Sequence, residues 1–132
     1  MSDGFQIKVE KTAQSNLSKI DFSNLPFGKF YADHMFVCDF QDGVWKDARI
    51  VPFQNLSLSP ASLCLHYGQL IFEGLKAYRN VDGEIVLFRP AQHLERINKS
   101  ADRLCMAQLT EEVFMGGLLE LLKIDSEWVP KD

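Results

Sequence analysis

The chain has 132 residues, 46% of them hydrophobic and ten of them Phe, which is enough for one domain with its own core. Its net charge is −4 and its basic residues are scattered, so the electrostatic footprint of a nucleic-acid binder is missing. No apolar run approaches the roughly eighteen residues of a membrane span and no basic stretch precedes an apolar one, so the sequence predicts a cytoplasmic protein without a membrane partner. Residues 1–28 are polar, with a weak apolar rhythm, and end at the break Leu25-Pro26-Phe27-Gly28; they read as an N-terminal arm. Aromatic and β-branched residues then predict antiparallel strands over 30–40 and 44–53, joined through Gln41-Asp42-Gly43. The alternating stretch from Pro52 to Pro60 suits an edge strand or an extended connection. From Ala61 to Phe72 the apolar period shifts from two toward helical, predicting a strand end and one or two helical turns broken at Gly74.

A second hairpin is expected from Leu75–Tyr78 and Ile85–Phe88 around Asn80-Val81-Asp82-Gly83, because an Asp-Gly pair accepts the positive φ of a tight turn. Pro90 suits a first helical position, and a helix to about Leu104 would carry Leu94, Ile97, Ala101, Leu104 and Cys105 on one stripe, with Arg96, Lys99 and Arg103 away from it. Thr110 reads as the N-cap of another helix whose core face is Val113, Phe114, Leu118, Leu121 and Leu122. Gly116-Gly117 inside that helix costs about 1 kcal/mol per residue against Ala, which predicts a close neighbour on that side. The fold class expected is α+β: a small antiparallel sheet built from hairpins, with two packed helices in the C-terminal half.

The segment from Leu65 to Met106 concentrates residues suited to a flat, phosphorylated cofactor. Arg96 presents a planar fork of donors that matches phosphate oxygens, although a lone helical Arg is otherwise a solvated surface residue. Tyr67 and Phe72 could hydrogen-bond and bound an apolar pocket, or simply be core aromatics. Gly74 could let a ring approach the backbone or could end a helical turn. His34, His66 and His93 show neither metal spacing nor a nucleophile partner and read as satisfied structural histidines; no metal site is expected. Cys38, Cys64 and Cys105, odd in number and widely spaced, read as buried free thiols. Lys76 lies in an expected strand without a desolvated pocket and is not nominated as a reactive amine.

Five blocks in order, FGKFYADHM, PFQNLSLSPASLCLHYGQLIFEGLKAYR, LFRP, HLERINKSADRLCM and LLKIDSEWVP, make the chain from about Phe27 to Pro130 resemble the N-terminal half of the branched-chain amino acid aminotransferases, pyridoxal-phosphate enzymes of fold type IV. The resemblance implies that Arg96 grips the cofactor phosphate, that the hydroxyl of Tyr67 lies near the substrate, and that Phe72 lines the side-chain pocket with Gly74 beside it. Tyr31 falls where the family keeps an aromatic, typically Phe, against the aliphatic substrate. It further implies reversible amino transfer between leucine, isoleucine or valine and 2-oxoglutarate, and an active site at a domain and dimer interface. Residues 29–132 would be the small α+β domain. The Schiff-base lysine would come from a C-terminal domain, the chain's own partner, so the 132 residues alone are expected to be inactive and to self-associate as a homo-oligomer. The rival readings are a stand-alone binding module on this fold, or a fold type IV relative such as a D-amino acid transaminase or aminodeoxychorismate lyase.

Overall fold

A computed structural model describes residues 5–131. The N-terminal arm contributes the first strand, β1 (Lys8–Val9), which lies parallel to β3 (Val44–Pro52); β3 pairs antiparallel with β2 (His34–Gln41), giving the order β1-β3-β2. The hairpin turn falls at Asp42-Gly43, both with positive φ, as the dipeptide chemistry requires. Register pairs Phe36 with Ile50 and His34 with Pro52, with a slip at a bulge between Val37 and Asp39.

The residues from Phe53 to Ser62 are an extended connection outside any strand. A single helical turn, α1 (Leu63–His66), follows, and the chain then runs irregularly to β4 (Ala77–Arg79), which pairs with β5 (Ile85–Leu87) as a separate two-stranded sheet. In that hairpin Asn80 Oδ1 accepts the N–H groups of Asp82 (3.0 Å) and Glu84 (2.8 Å), and Gly83 takes φ +82°. The sheet is therefore not one antiparallel unit. Each hairpin forms its own sheet, and the larger one is mixed because the arm adds β1 in parallel.

Helix α2 (Pro90–Arg103) starts with Pro at its first position. It ends in a left-handed cap: Met106 N–H reaches Ala101 O (2.9 Å), Cys105 N–H reaches Asp102 O (3.1 Å), and Cys105 takes φ +53°. This corrects the expected apolar stripe at its end. Leu94 and Ile97 are half-buried and Ala101 is buried, but the helix has stopped before Leu104 and Cys105, which are exposed. The thiols are likewise free but not buried: Cys38 and Cys64 are half-buried, because a chain of this size has few fully enclosed positions.

Thr110 Oγ1 accepts Val113 N–H (3.3 Å) at the next helix start, which passes through a π turn (Glu112–Gly116) into α3 (Gly117–Ile124) and a 3₁₀ turn (Ser126–Trp128). Helix α3 packs on β2 and β3 over a core that includes Ala48, Ile50 and Val113. The glycine pair does have close neighbours. A methyl on Gly117 would lie 2.6 Å from Phe36 Cδ1, and one on Gly116 would lie 3.5 Å from Phe5 Cε1.

Three segments converge on His34. Its backbone N–H donates to Asp125 Oδ2 (2.9 Å), its Nδ1–H to Asp125 Oδ1 (2.6 Å), and its Nε2 accepts Thr12 N–H (2.9 Å). Asp33 repeats the pattern, accepting from Ser15, Asn16 and Trp128. Burial disfavours ionised Asp33, but these donors outweigh it and hold its carboxyl below the usual range. Thus the arm and the end of α3 are tied to the same strand start. Among the described residues no helix is long and apolar enough to cross a membrane, and no group of three or more His, Cys, Asp or Glu side chains could hold a metal ion.

Candidate functional site

The irregular stretch between α1 and β4 is held along α2 at two points. Gln69 Nε2 donates to Leu104 O (2.8 Å) at the C-terminal end of the helix, and Glu73 bonds to Arg96 and His93 nearer its start. Two anchors four residues apart fix a loop that has no ladder hydrogen bonds of its own. Between and around them the apolar side chains point outward: Tyr67 is 82% and Phe72 is 91% exposed, with Leu70 and Phe88 also exposed.

Glu73 is the centre of the polar site. Its side chain is 6% exposed, whereas that of Arg96 is 64% exposed. Oε2 accepts Arg96 Nε–H (2.7 Å); Oε1 accepts from Arg96 Nη2, from His93 Nδ1 (2.9 Å) and from Gly74 N–H (3.1 Å). This donor set, the Arg96 contact first and His93 second, pulls the Glu73 carboxyl from 4.5 down to about 2 despite its burial. The same pairing raises the pKa of Arg96. With Nδ1 of His93 carrying the proton given to Glu73, its 3.4 Å approach to Arg96 Nη2 is donor against donor and adds no bond.

Arg96 lines an open concavity of about 250 Å³ with Phe88, Arg89, Gln92 and His93. A guanidinium has five N–H donors in one plane. Glu73 occupies the edge formed by Nε and one side of Nη2, which leaves the Nη1/Nη2 edge available to an acceptor. The Arg96 side chain thus faces a solvent-open surface, away from the apolar side of α2.

Tyr67 is the residue after α1, its N–H closing the turn on Leu63 O (2.8 Å). Tyr31 is half exposed and stacks on Phe53, with ring centroids 4.7 Å apart, and its hydroxyl donates to Gly28 O (3.4 Å). Its aromatic partner is Phe53 and not Tyr67 or Phe72. Gly74 does not end a helical turn, as the sequence allowed. The turn has already closed at Tyr67, followed by Gly68 at φ +62°, and a methyl at Gly74 would meet nothing within 4 Å. Hydrogen bonds bring Arg96 and Gly74 together through Glu73, which the sequence places on the motif but does not pair with Asp82 as acid and base, and whose partners lie 20 and 23 residues away. Phe53 was missed because its stacking partner, Tyr31, is likewise distant in sequence. All three histidines have hydrogen-bond partners, His66 through Pro60 O (2.5 Å). Lys76 is exposed, just before β4.

No protein-family model matches the chain. In sequence it is a relative of the branched-chain amino acid aminotransferases. It is 48% identical over 125 residues to "Branched-chain-amino-acid aminotransferase 2" of Bacillus subtilis (strain 168), covering 94% of this chain and 34% of that protein. To "Branched-chain-amino-acid transaminase 1" of the same organism it is 45% identical over 127 residues, 96% of this chain and 35% of that protein. A branched-chain-amino-acid aminotransferase of Mycolicibacterium smegmatis is 48% identical over 109 residues, 82% of this chain and 30% of that protein. The chain spans about a third of the length of the curated relatives it matches.

Proposed function

We propose that residues 29–132, with residues 1–28 as an arm, form the small domain of a branched-chain amino acid aminotransferase, the remainder of the enzyme supplying a C-terminal domain with the reactive lysine. The observation that carries this reading is Arg96: an exposed guanidinium, held on one edge by a nearly buried carboxylate, on the rim of an open concavity. The donor set fits the phosphate of pyridoxal 5′-phosphate, since the Nη1/Nη2 edge offers paired N–H donors and Arg89 and Gln92 add further polar groups. When bound, that cofactor supplies the electron sink for amino-group transfer.

In this reading Arg96 holds the phosphate and so fixes the cofactor's position. The exposed faces of Tyr67 and Phe72, the open space at Gly74 and the stacked Tyr31 bound the space where an aliphatic amino acid or 2-oxo acid rests and from which water is excluded. Their exposure follows from the same assignment: a second domain and a second copy would cover Leu65, Leu70 and Phe88 along with them. Lys76 and Lys99, the lysines between Leu65 and Met106, are both solvent-exposed and take no part. The test compares the 132-residue chain with the whole enzyme, this chain joined to the two thirds that its relatives have in addition. Incubated with pyridoxal phosphate, leucine and 2-oxoglutarate, the whole enzyme is expected to form glutamate and the chain alone to form none. Turnover by the chain alone, or none by the whole enzyme with any branched-chain amino acid, would overturn the reading.

A further inference from the structure

A guanidinium on a long side chain that is 64% exposed would ordinarily sample many rotamers. Arg96 does not have that freedom. Glu73 takes two of its donors, and Glu73 is itself fixed by His93 Nδ1 (2.9 Å) and Gly74 N–H (3.1 Å). Because the guanidinium is rigid and planar, fixing one edge fixes the direction of the other. We propose that Glu73 is the positioning residue of the phosphate site: by holding the Nε/Nη2 edge of Arg96 it keeps the adjoining Nη1/Nη2 edge turned into the concavity lined by Phe88, Arg89 and Gln92, ready for a phosphate dianion. The proposal rests on the reading of Arg96 as the phosphate anchor and adds a residue that touches neither phosphate nor substrate.

Two effects of Glu73 oppose one another. Its carboxylate, deprotonated throughout the physiological range, cancels one unit of positive charge beside the phosphate and so weakens long-range attraction. It also removes in advance the ordering cost that a free Arg side chain would bear on binding. The carboxylate already accepts from Arg96, His93 and Gly74, so its charge acts on the phosphate only through groups that offset it, whereas the ordering cost is removed in full. Preorganisation therefore wins, and Glu73 strengthens phosphate binding although it is an anion.

The experiment uses the whole enzyme stripped of cofactor and measures dissociation constants for pyridoxal 5′-phosphate and for pyridoxal, which lacks the phosphate, by fluorescence titration. Glu73→Gln keeps the shape and removes the charge. It is expected to weaken pyridoxal phosphate binding roughly three- to tenfold while leaving pyridoxal unchanged. A merely structural role would weaken both ligands equally, and that result overturns the proposal, as does phosphate binding that is unchanged or tighter. In the Arg96→Ala background Glu73→Gln is expected to have no further effect; additive losses also overturn it. Arg96→Ala alone separates the two claims: if it weakens pyridoxal phosphate and Glu73→Gln does not, the anchor stands and the positioning role falls, whereas no effect of Arg96→Ala removes the anchor itself. Should Glu73→Gln yield no folded protein, Glu73→Asp, with its carboxylate drawn back by one methylene, is read by the same comparison.

Discussion

Replacing Gly117 by Ala adds one methyl where there is no room for it. That carbon would stand 2.6 Å from Phe36 Cδ1 and 2.7 Å from Phe36 Cζ, well inside van der Waals contact. Phe36 is half-buried on β2 opposite Ile50, the fully buried residue of β3, where α3 packs on the sheet, so turning the ring aside disturbs that contact. Overpacking of this kind costs about 1–3 kcal/mol. Against it, Ala is favoured over Gly in a helix interior by about 1 kcal/mol. With ring carbons this close the clash belongs in the upper half of that range, about 2–3 kcal/mol, so the net loss expected is about 1–2 kcal/mol, read from urea unfolding followed by the fluorescence of Trp45 and Trp128. Gly116→Ala is the internal control: its methyl meets Phe5 Cε1 at an ordinary 3.5 Å, so the propensity gain remains and stability should rise by up to about 1 kcal/mol. A Gly117→Ala variant as stable as the parent, or more so, would refute the claim that the glycine is there for the Phe36 ring.

Asp125→Ala strips the acceptor from two buried donors of His34 and should cost about 3 kcal/mol by the same unfolding measurement; a loss below about 1 kcal/mol would show that the tie between α3 and β2 is dispensable. Cys105→Gly removes a side chain from a left-handed helix cap at φ +53° and should add about 1 kcal/mol, with no gain counting against strain at that position. The Glu73 carboxyl has a folded-state value near 2, below its ordinary 4.5, so its contribution to stability is present above pH 4.5 and is lost as pH falls through about 2. Stability measured between those limits should therefore fall less steeply with acid in Glu73→Gln than in the parent, and identical slopes would contradict the pairing. The 132-residue chain alone, with Tyr67, Leu70, Phe72 and Phe88 uncovered, should sediment as a dimer or larger species, and a clean monomer at high concentration would argue against an unpartnered face.

The hairpins and helices were readable because each is announced locally: Asp42-Gly43 and Asp82-Gly83 carry turn chemistry, Pro90 opens α2, and Thr110 caps the next helix. The end of α2 was not readable, because the residue in its left-handed cap is Cys105 rather than the Gly that signals such caps in sequence. The parallel pairing of β1 could not be read either. Lys8 and Val9 are too few to show a period, and their partner strand lies some forty residues on. At the candidate site Arg96 was found from donor chemistry and from the resemblance, whereas Glu73, His93 and Phe53 enter only through long-range contacts that no spacing rule encodes.

The proposed function stands on Arg96 holding the phosphate of pyridoxal 5′-phosphate. Its most direct test is the dissociation constant of that cofactor for the whole enzyme with Arg96→Gln beside that of the unaltered protein. Loss of paired, charge-assisted hydrogen bonds to a phosphate should weaken binding by about tenfold to a hundredfold. Equal affinity in the two proteins would contradict the account.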